Sequence, residues 1–114
     1  MVTQLYLKGL YPKVQKGARL LDQKCPNWHK KIKLDRLDME WSESCVLGQV
    51  YGCYAVGLRN LNLHKKSWHN TYIRGQQHGF TITPWTTNTK ICFQYLTSLW
   101  RQEIRSRRWA ERAA

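Results

Sequence analysis

The sequence predicts a mainly α fold: a small single-domain helical bundle of three principal helices with short helical turns, and minor extended segments allowed between them. Three observations carry this. Apolar residues recur at helical spacing over about 13–24, 44–61 and 88–110. The 114 residues, 42% of them hydrophobic, suffice for one core and leave little room for a second. Pro26 and Gly79 fall between the periodic stretches, where such residues break a helix. Residues 13–114 are therefore read as one helical domain with a basic C-terminal helix, preceded by an N-terminal arm over 1–12.

The arm contains Tyr6, Leu7, Leu10 and Tyr11, but Gly9 and Pro12 interrupt any period. From Lys13 to Lys24, Val14, Ala18 and Leu21 stand four and three apart with Leu20 beside them, which predicts a helix. Pro26 ends it, because the residue before a proline is pushed away from helical geometry. Asn27 then caps a short turn over 28–32. Between Lys33 and Ser44 the residues Leu34, Leu37, Met39 and Trp41 alternate irregularly with Asp35, Asp38, Glu40 and Glu43. This reads as an irregular or partly extended loop packed by its leucines.

Leu47, Tyr51, Tyr54, Leu58 and Leu61 follow a 4-3-4-3 spacing, the longest apolar stripe, so a helix over 44–61 is expected at the centre. Gly48, Gly52 and Ala55 form a line of small residues beside it. A glycine inside a helix costs about 1 kcal/mol relative to alanine, so the line points to close approach by another helix. Residues 62–71 are polar and loop-like, leading into a short helix over 68–77 that Gly79 stops. Gly79 to Asn88 is β-branched and reads as extended, with pairing to the N-terminal arm as one option. The last helix takes Thr87 or Asn88 as its cap and runs to about Ala110.

Cys25, Cys45, Cys53 and Cys92 show no close pair of the kind that offers two thiolates to zinc. His64, His69 and His78 are loosely spaced. No metal and no cofactor are expected, and Cys45, Cys53 and Cys92 read as small buried hydrophobes. Cys45 near a helix N-terminus is a conceivable nucleophile, but no histidine is brought beside it in sequence. Asp35 and Asp38 read as surface carboxylates paired with Lys30, Lys31 or Arg36 rather than as an acid–base pair. Gly48-x-x-x-Gly52 lacks the following Lys and Ser/Thr of a phosphate loop. No catalytic residue is assigned, and the expectation is a protein that is not an enzyme.

Charge is the informative property. There are 19 Lys+Arg against 7 Asp+Glu, a formal net charge of +12. No acid occurs between Ser44 and Gln102, whereas Arg59, Lys65, Lys66, Arg74, Lys90 and Arg101 do. Placed at about 100° per residue, Cys92, Tyr95, Leu96, Leu99 and Trp100 gather on one side of the last helix. Arg101, Arg105, Arg108 and Arg112 gather on the other, with Glu103 misplaced near the apolar side. Tryptophans accompany the basic pairs: Trp28 before Lys30-Lys31, Trp68 after Lys65-Lys66, Trp109 after Arg107-Arg108. Cations attract phosphate, and an aromatic face stacks a base for about 1–3 kcal/mol. The candidate binding residues are Lys30, Lys31, Lys33, Lys65, Lys66, Arg101, Arg105, Arg108, Arg112, Trp28, Trp68 and Trp109.

Several blocks resemble a family of small uncharacterised proteins of actinobacteria and their phages. They are Ala18–Lys24 (ARLLDQK), Pro26–Ile32 (PNWHKKI), Leu34–Met39 (LDRLDM) and Cys45–Tyr54 (CVLGQVYGCY). His78-Gly-Phe80 and Leu96–Ile104 (LTSLWRQEI) fit the same pattern, and the Cys-Val-Leu-Gly-Gln block is the most specific. The resemblance implies a phage or prophage accessory protein and supplies no catalytic residue. This chain is more basic than such relatives, so its basic surface is the local clue. The expected partner is nucleic acid, or a nucleic-acid-handling host complex, in the cytoplasm of a bacterial host. A protein-binding inhibitor seated on an acidic host or defence protein surface is the alternative, and a virion-associated structural protein another. No run of about 18 apolar residues occurs, so no membrane span is expected. The N-terminal segment has no basic region ahead of an apolar core and does not read as a secretory signal.

Overall fold

Helix α1 spans Val2–Lys24 in a computed structural model that describes residues 2–82 and 88–113, with side chains from Leu7 onward. The segment read as an arm is therefore helical, and the helix continues through Pro12. Proline cannot donate to the carbonyl four residues earlier, a cost of about 3 kcal/mol in a helix interior. Leu10 offsets that cost. It is fully buried and starts a stripe with Val14, Ala18 and Leu21, each also fully buried. Burying a leucine contributes about 1.5–3 kcal/mol. Tertiary packing thus extends the helix past a local breaker.

A 3-10 turn, Trp28–Lys31, follows Pro26. Asn27 stands before it as expected, but caps through its backbone in left-handed geometry (φ 67°) and not through its side chain. A second 3-10 turn, Leu34–Arg36, begins the irregular stretch, whose Leu37 and Met39 are buried. The leucine-packed loop is thus present. Met39 N–H donates to Thr97 Oγ1 at 3.0 Å and ties the stretch to the last helix.

The single central helix expected over 44–61 is two helices, α2 (Val46–Tyr51) and α3 (Tyr54–Asn60). Gly52 breaks it with φ 104°, a value that an L side chain rarely adopts. Cys53 then runs extended before α3 begins. The expected line of small residues does not receive another helix. Gly48 lies against the Ser42–Glu43 backbone, a Cβ on Gly52 would meet nothing within 4 Å, and Ala55 is exposed. Close packing between the two halves falls on Gly57. A Cβ on Gly57 would lie 2.6 Å from Leu47 Cβ. Helices α2 and α3 pack against each other, with Val46, Leu47 and Leu58 in the core.

Helix α4 (Trp68–Gln77) matches its expected span, with Ser67 Oγ accepting from Asn70 N–H. Gly79 ends the following turn with φ 71°, and a Cβ there would press on the α1 backbone, 2.7 Å from Val14 Cα. The chain then crosses α1. Phe80 and Ile82 are buried, and among the described residues no strand forms. Residues 83–87, including the alternative cap Thr87, lie outside the described residues.

Helix α5 (Thr89–Ala113) is capped by Asn88, whose Oδ1 accepts from Ile91 N–H at 3.1 Å. Cys92, Leu96, Leu99, Trp100 and Ile104 are buried along one side, while Tyr95 is 39% exposed and leaves the expected stripe. Helices α1 and α5 pack against each other. Between them stands an aromatic column. His78 stacks on Phe80, Phe80 on Trp100 at 5.4 Å, and Trp28 meets Trp100 edge-on at 5.8 Å. Trp100 Nε1–H donates to Gly79 O at 2.7 Å, so the indole is satisfied as well as packed. The Cα radius of gyration, 13.6 Å, is close to the roughly 13 Å of one compact domain of this length.

Candidate nucleic-acid interface

The basic surface is organised by α5 and the 28–37 segment lying against it. Arg108 donates to the carbonyls of His29 (2.9 Å) and Ile32 (2.5 Å). Arg101 donates to those of Leu34 (3.4 Å) and Leu37 (3.3 Å). One turn beyond Arg108, Glu111 accepts from His29 Nε2–H at 2.8 Å and lies 3.7 Å from Lys30 Nζ. These contacts satisfy loop carbonyls and fix the 28–37 segment along the helix. Arg101 and Arg108 therefore build the surface with part of their hydrogen-bonding capacity.

The basic residues of 28–37 and those of α5, far apart in sequence, become neighbours through these contacts. Leu34, Arg105, Arg108, Trp109 and Arg112 line one groove of about 360 Å³. Trp109 is 71% exposed and sits between Arg105 and Arg112, one turn either way. Lys31, Lys33 and Arg36 line a second groove with Glu43, Ser44 and Gln49. Gln49 Oε1 accepts from Lys33 N–H at 2.7 Å and holds that backbone. Among the described residues Arg36, Arg105 and Arg112 have no carboxylate partner, so their charge faces solvent. Arg36 was not among the expected binding residues. Its place just after Lys30, Lys31 and Lys33 was the available signal.

Trp28 is a correction. It is fully buried, its Nε1–H donates to Asp22 Oδ1 at 2.8 Å, and Arg107 covers its ring at 5.5 Å. No face of it is open to a base. The same Arg107 holds Asp22 through Nε and Nη2 at 3.0 and 2.9 Å, and Glu103 through Nη1 at 2.6 Å. Glu103, out of place on a helical wheel, is there to steer this guanidinium. Hydrogen bonding from Arg107, more than any other influence, holds the Asp22 carboxyl below its usual range.

Lys65, Lys66 and Trp68 stand apart, at the entrance to α4. Thr71 accepts from Lys65 N–H and donates to Lys65 O, which fixes this loop. Trp68 is 79% exposed and Lys66 is exposed, but neither lines the two grooves above. The acidic patch also departs from expectation. Among the described residues Asp35, Asp38, Glu40 and Glu43 form no ion pair with Lys30, Lys31 or Arg36. Asp38 Oδ1 instead accepts from Glu40 N–H in a local turn. The pairing carboxylates are Asp22, Glu103 and Glu111.

Cys45 and Cys92 are buried as expected, while Cys53 is half-buried. Cys45 caps α2: its Sγ accepts from Gly48 N–H at 3.3 Å and its S–H donates to Ser42 O at 3.4 Å. Burial pushes this thiol above its usual range, against the pull of the helix amides. His78 bonds the Arg74 carbonyl through Nδ1 at 2.8 Å, and burial pushes its pKa down. Among the described residues no helix is long and apolar enough to cross a membrane. Comparison with protein-family models, curated proteins and solved structures finds no match.

Proposed function

We propose that this is a non-enzymatic basic binding protein that holds nucleic acid on the joined surface of α5 and residues 28–37. The observation that carries the reading is the groove of Leu34, Arg105, Arg108, Trp109 and Arg112, with Lys31, Lys33 and Arg36 of the same 28–37 segment lining a second groove. Guanidinium groups without carboxylate partners attract phosphate, and a net charge of +12 gains from a polyanionic partner that relieves its self-repulsion. The mechanism is capture and occlusion, with no chemistry performed on the ligand. A phage or prophage accessory role, acting directly on nucleic acid or on a host complex that handles it, rests on the resemblance of the Cys45–Tyr54 block and its flanking motifs.

Fluorescence anisotropy with labelled DNA and RNA tests this. Binding is expected at about 50 mM salt, with log K falling linearly in log salt by roughly 0.7–0.9 per phosphate contacted. No detectable binding at that salt, or an affinity without a salt slope, removes the reading. A host protein retained after nuclease treatment, with purified oligonucleotides failing to bind, would replace it by the protein-inhibitor alternative.

A further inference from the structure

Arg105 and Trp109 line two grooves at once. On one side lie Leu34, Arg108 and Arg112, and on the other Ser98, Gln102 and Ser106. The pair therefore divides a cationic groove from one whose other lining residues are neutral and hydrogen-bonding. Ser98 Oγ donates to Gln94 O at 3.1 Å and keeps its acceptor capacity. Gln102 and Ser106 are exposed, each with donor and acceptor available.

We infer that the ligand is single-stranded, with its phosphates in the cationic groove and one base laid over Trp109, its edge toward Gln102 and Ser106. This rests on the nucleic-acid reading above and adds the strandedness and the base contact. The division of the two grooves suits the two halves of a nucleotide. Phosphate needs cations without competing carboxylates, and Arg105, Arg108 and Arg112 supply them. A base needs an apolar face and neutral hydrogen-bonding groups at its edge.

A duplex fits less well for two physical reasons. Its base faces are already stacked, so an indole exposed to 71% gains nothing from them without unstacking the helix. Insertion of α5 into the major groove is also obstructed. That groove is about 12 Å wide and a helix with side chains already measures about 10–12 Å. Helix α5 carries the 28–37 segment along its flank, held by Arg101 and Arg108.

The test compares a labelled single strand with the duplex of the same sequence, for the full chain and for Trp109→Ala and Trp109→Phe. Circular dichroism should show that both variants fold, since the side chain is exposed. The single strand is expected to bind at least about tenfold tighter than the duplex, and Trp109→Ala to weaken it by about 5- to 100-fold. The salt slope and the duplex affinity stay unchanged in that variant, and Trp109→Phe keeps most of the single-strand affinity. A duplex bound as tightly as the single strand, or a Trp109→Ala variant that binds single strands normally, overturns the inference and leaves the proposed function standing. Failure of both forms to bind overturns both. Gln102→Ala should reorder the affinities for the homopolymers, and an unchanged order overturns the base-edge contact.

Discussion

Trp28 and Trp109 are both tryptophans beside basic pairs in sequence, and both have guanidinium groups close at hand. Their fates are opposite. Trp28 is sealed into the core with Arg107 over its ring, and that arginine is neutralised by Asp22 and Glu103. Trp109 stands in solvent between Arg105 and Arg112, which have no carboxylate partner among the described residues. The difference is made by carboxylates. Where acids meet the arginine, the aromatic–cation grouping is cohesion; where they are missing, the same grouping is a surface open to an anion.

Substitutions can break this contrast in order of effect. Trp28→Ala should cost about 3–5 kcal/mol in denaturant unfolding, because it opens a cavity against Trp100 and strips Asp22 of a donor. Arg107→Ala should cost less, about 1–2 kcal/mol, since Asp22 stays partly hydrated once its partner is gone. A smaller effect has a defined pH sign. The Asp22 pKa is depressed in the folded state, so its stabilising contribution is present above the unfolded value, about 4. It is lost as pH falls through the lower folded value. Asp22→Asn should flatten this acid limb of a stability–pH profile and leave the limb above neutrality unchanged. Arg105→Glu and Arg112→Glu should shift stability by no more than about 0.5 kcal/mol. Each should reduce the salt slope of nucleic-acid binding by about one or more.

Elements set by neighbouring residues were legible in the sequence. The cap at Asn88, the span of α4 and its end at Gly79 follow from spacing and turn chemistry within a few positions. Elements decided by distant partners were not. Pro12 marks a local boundary, and only the burial of Leu10 in the core shows why the helix ignores it. The 44–61 stripe gave no sign that Gly52 would turn through positive φ, because a folded pair and a continuous helix share the same apolar spacing. At the site, the arginine face was readable from the helical wheel. The partition of its members was not, since Arg101 and Arg108 are claimed by carbonyls more than sixty positions away. Gln102, Ser98 and Ser106 passed unnoticed because neutral polar residues on a helix carry no charge signal. Their spacing from Arg105 and Trp109 was the only hint.

The three turns of α5 that hold the 28–37 segment also set an order of assembly. Arg101, Arg108 and Glu111 close contacts spanning 64 to 82 positions, and the carbonyls they satisfy belong to a stretch synthesised long before them. During translation that stretch leaves the ribosome with only its sequence-near partners, such as Asp22 and Gln49, to hold it. The groove that Leu34 shares with Arg105, Arg108, Trp109 and Arg112 is complete only after residue 112 has emerged. A nascent or prematurely ended chain thus carries most of the positive charge without that groove, and the proposed ligand capture would wait for the last turns of the helix.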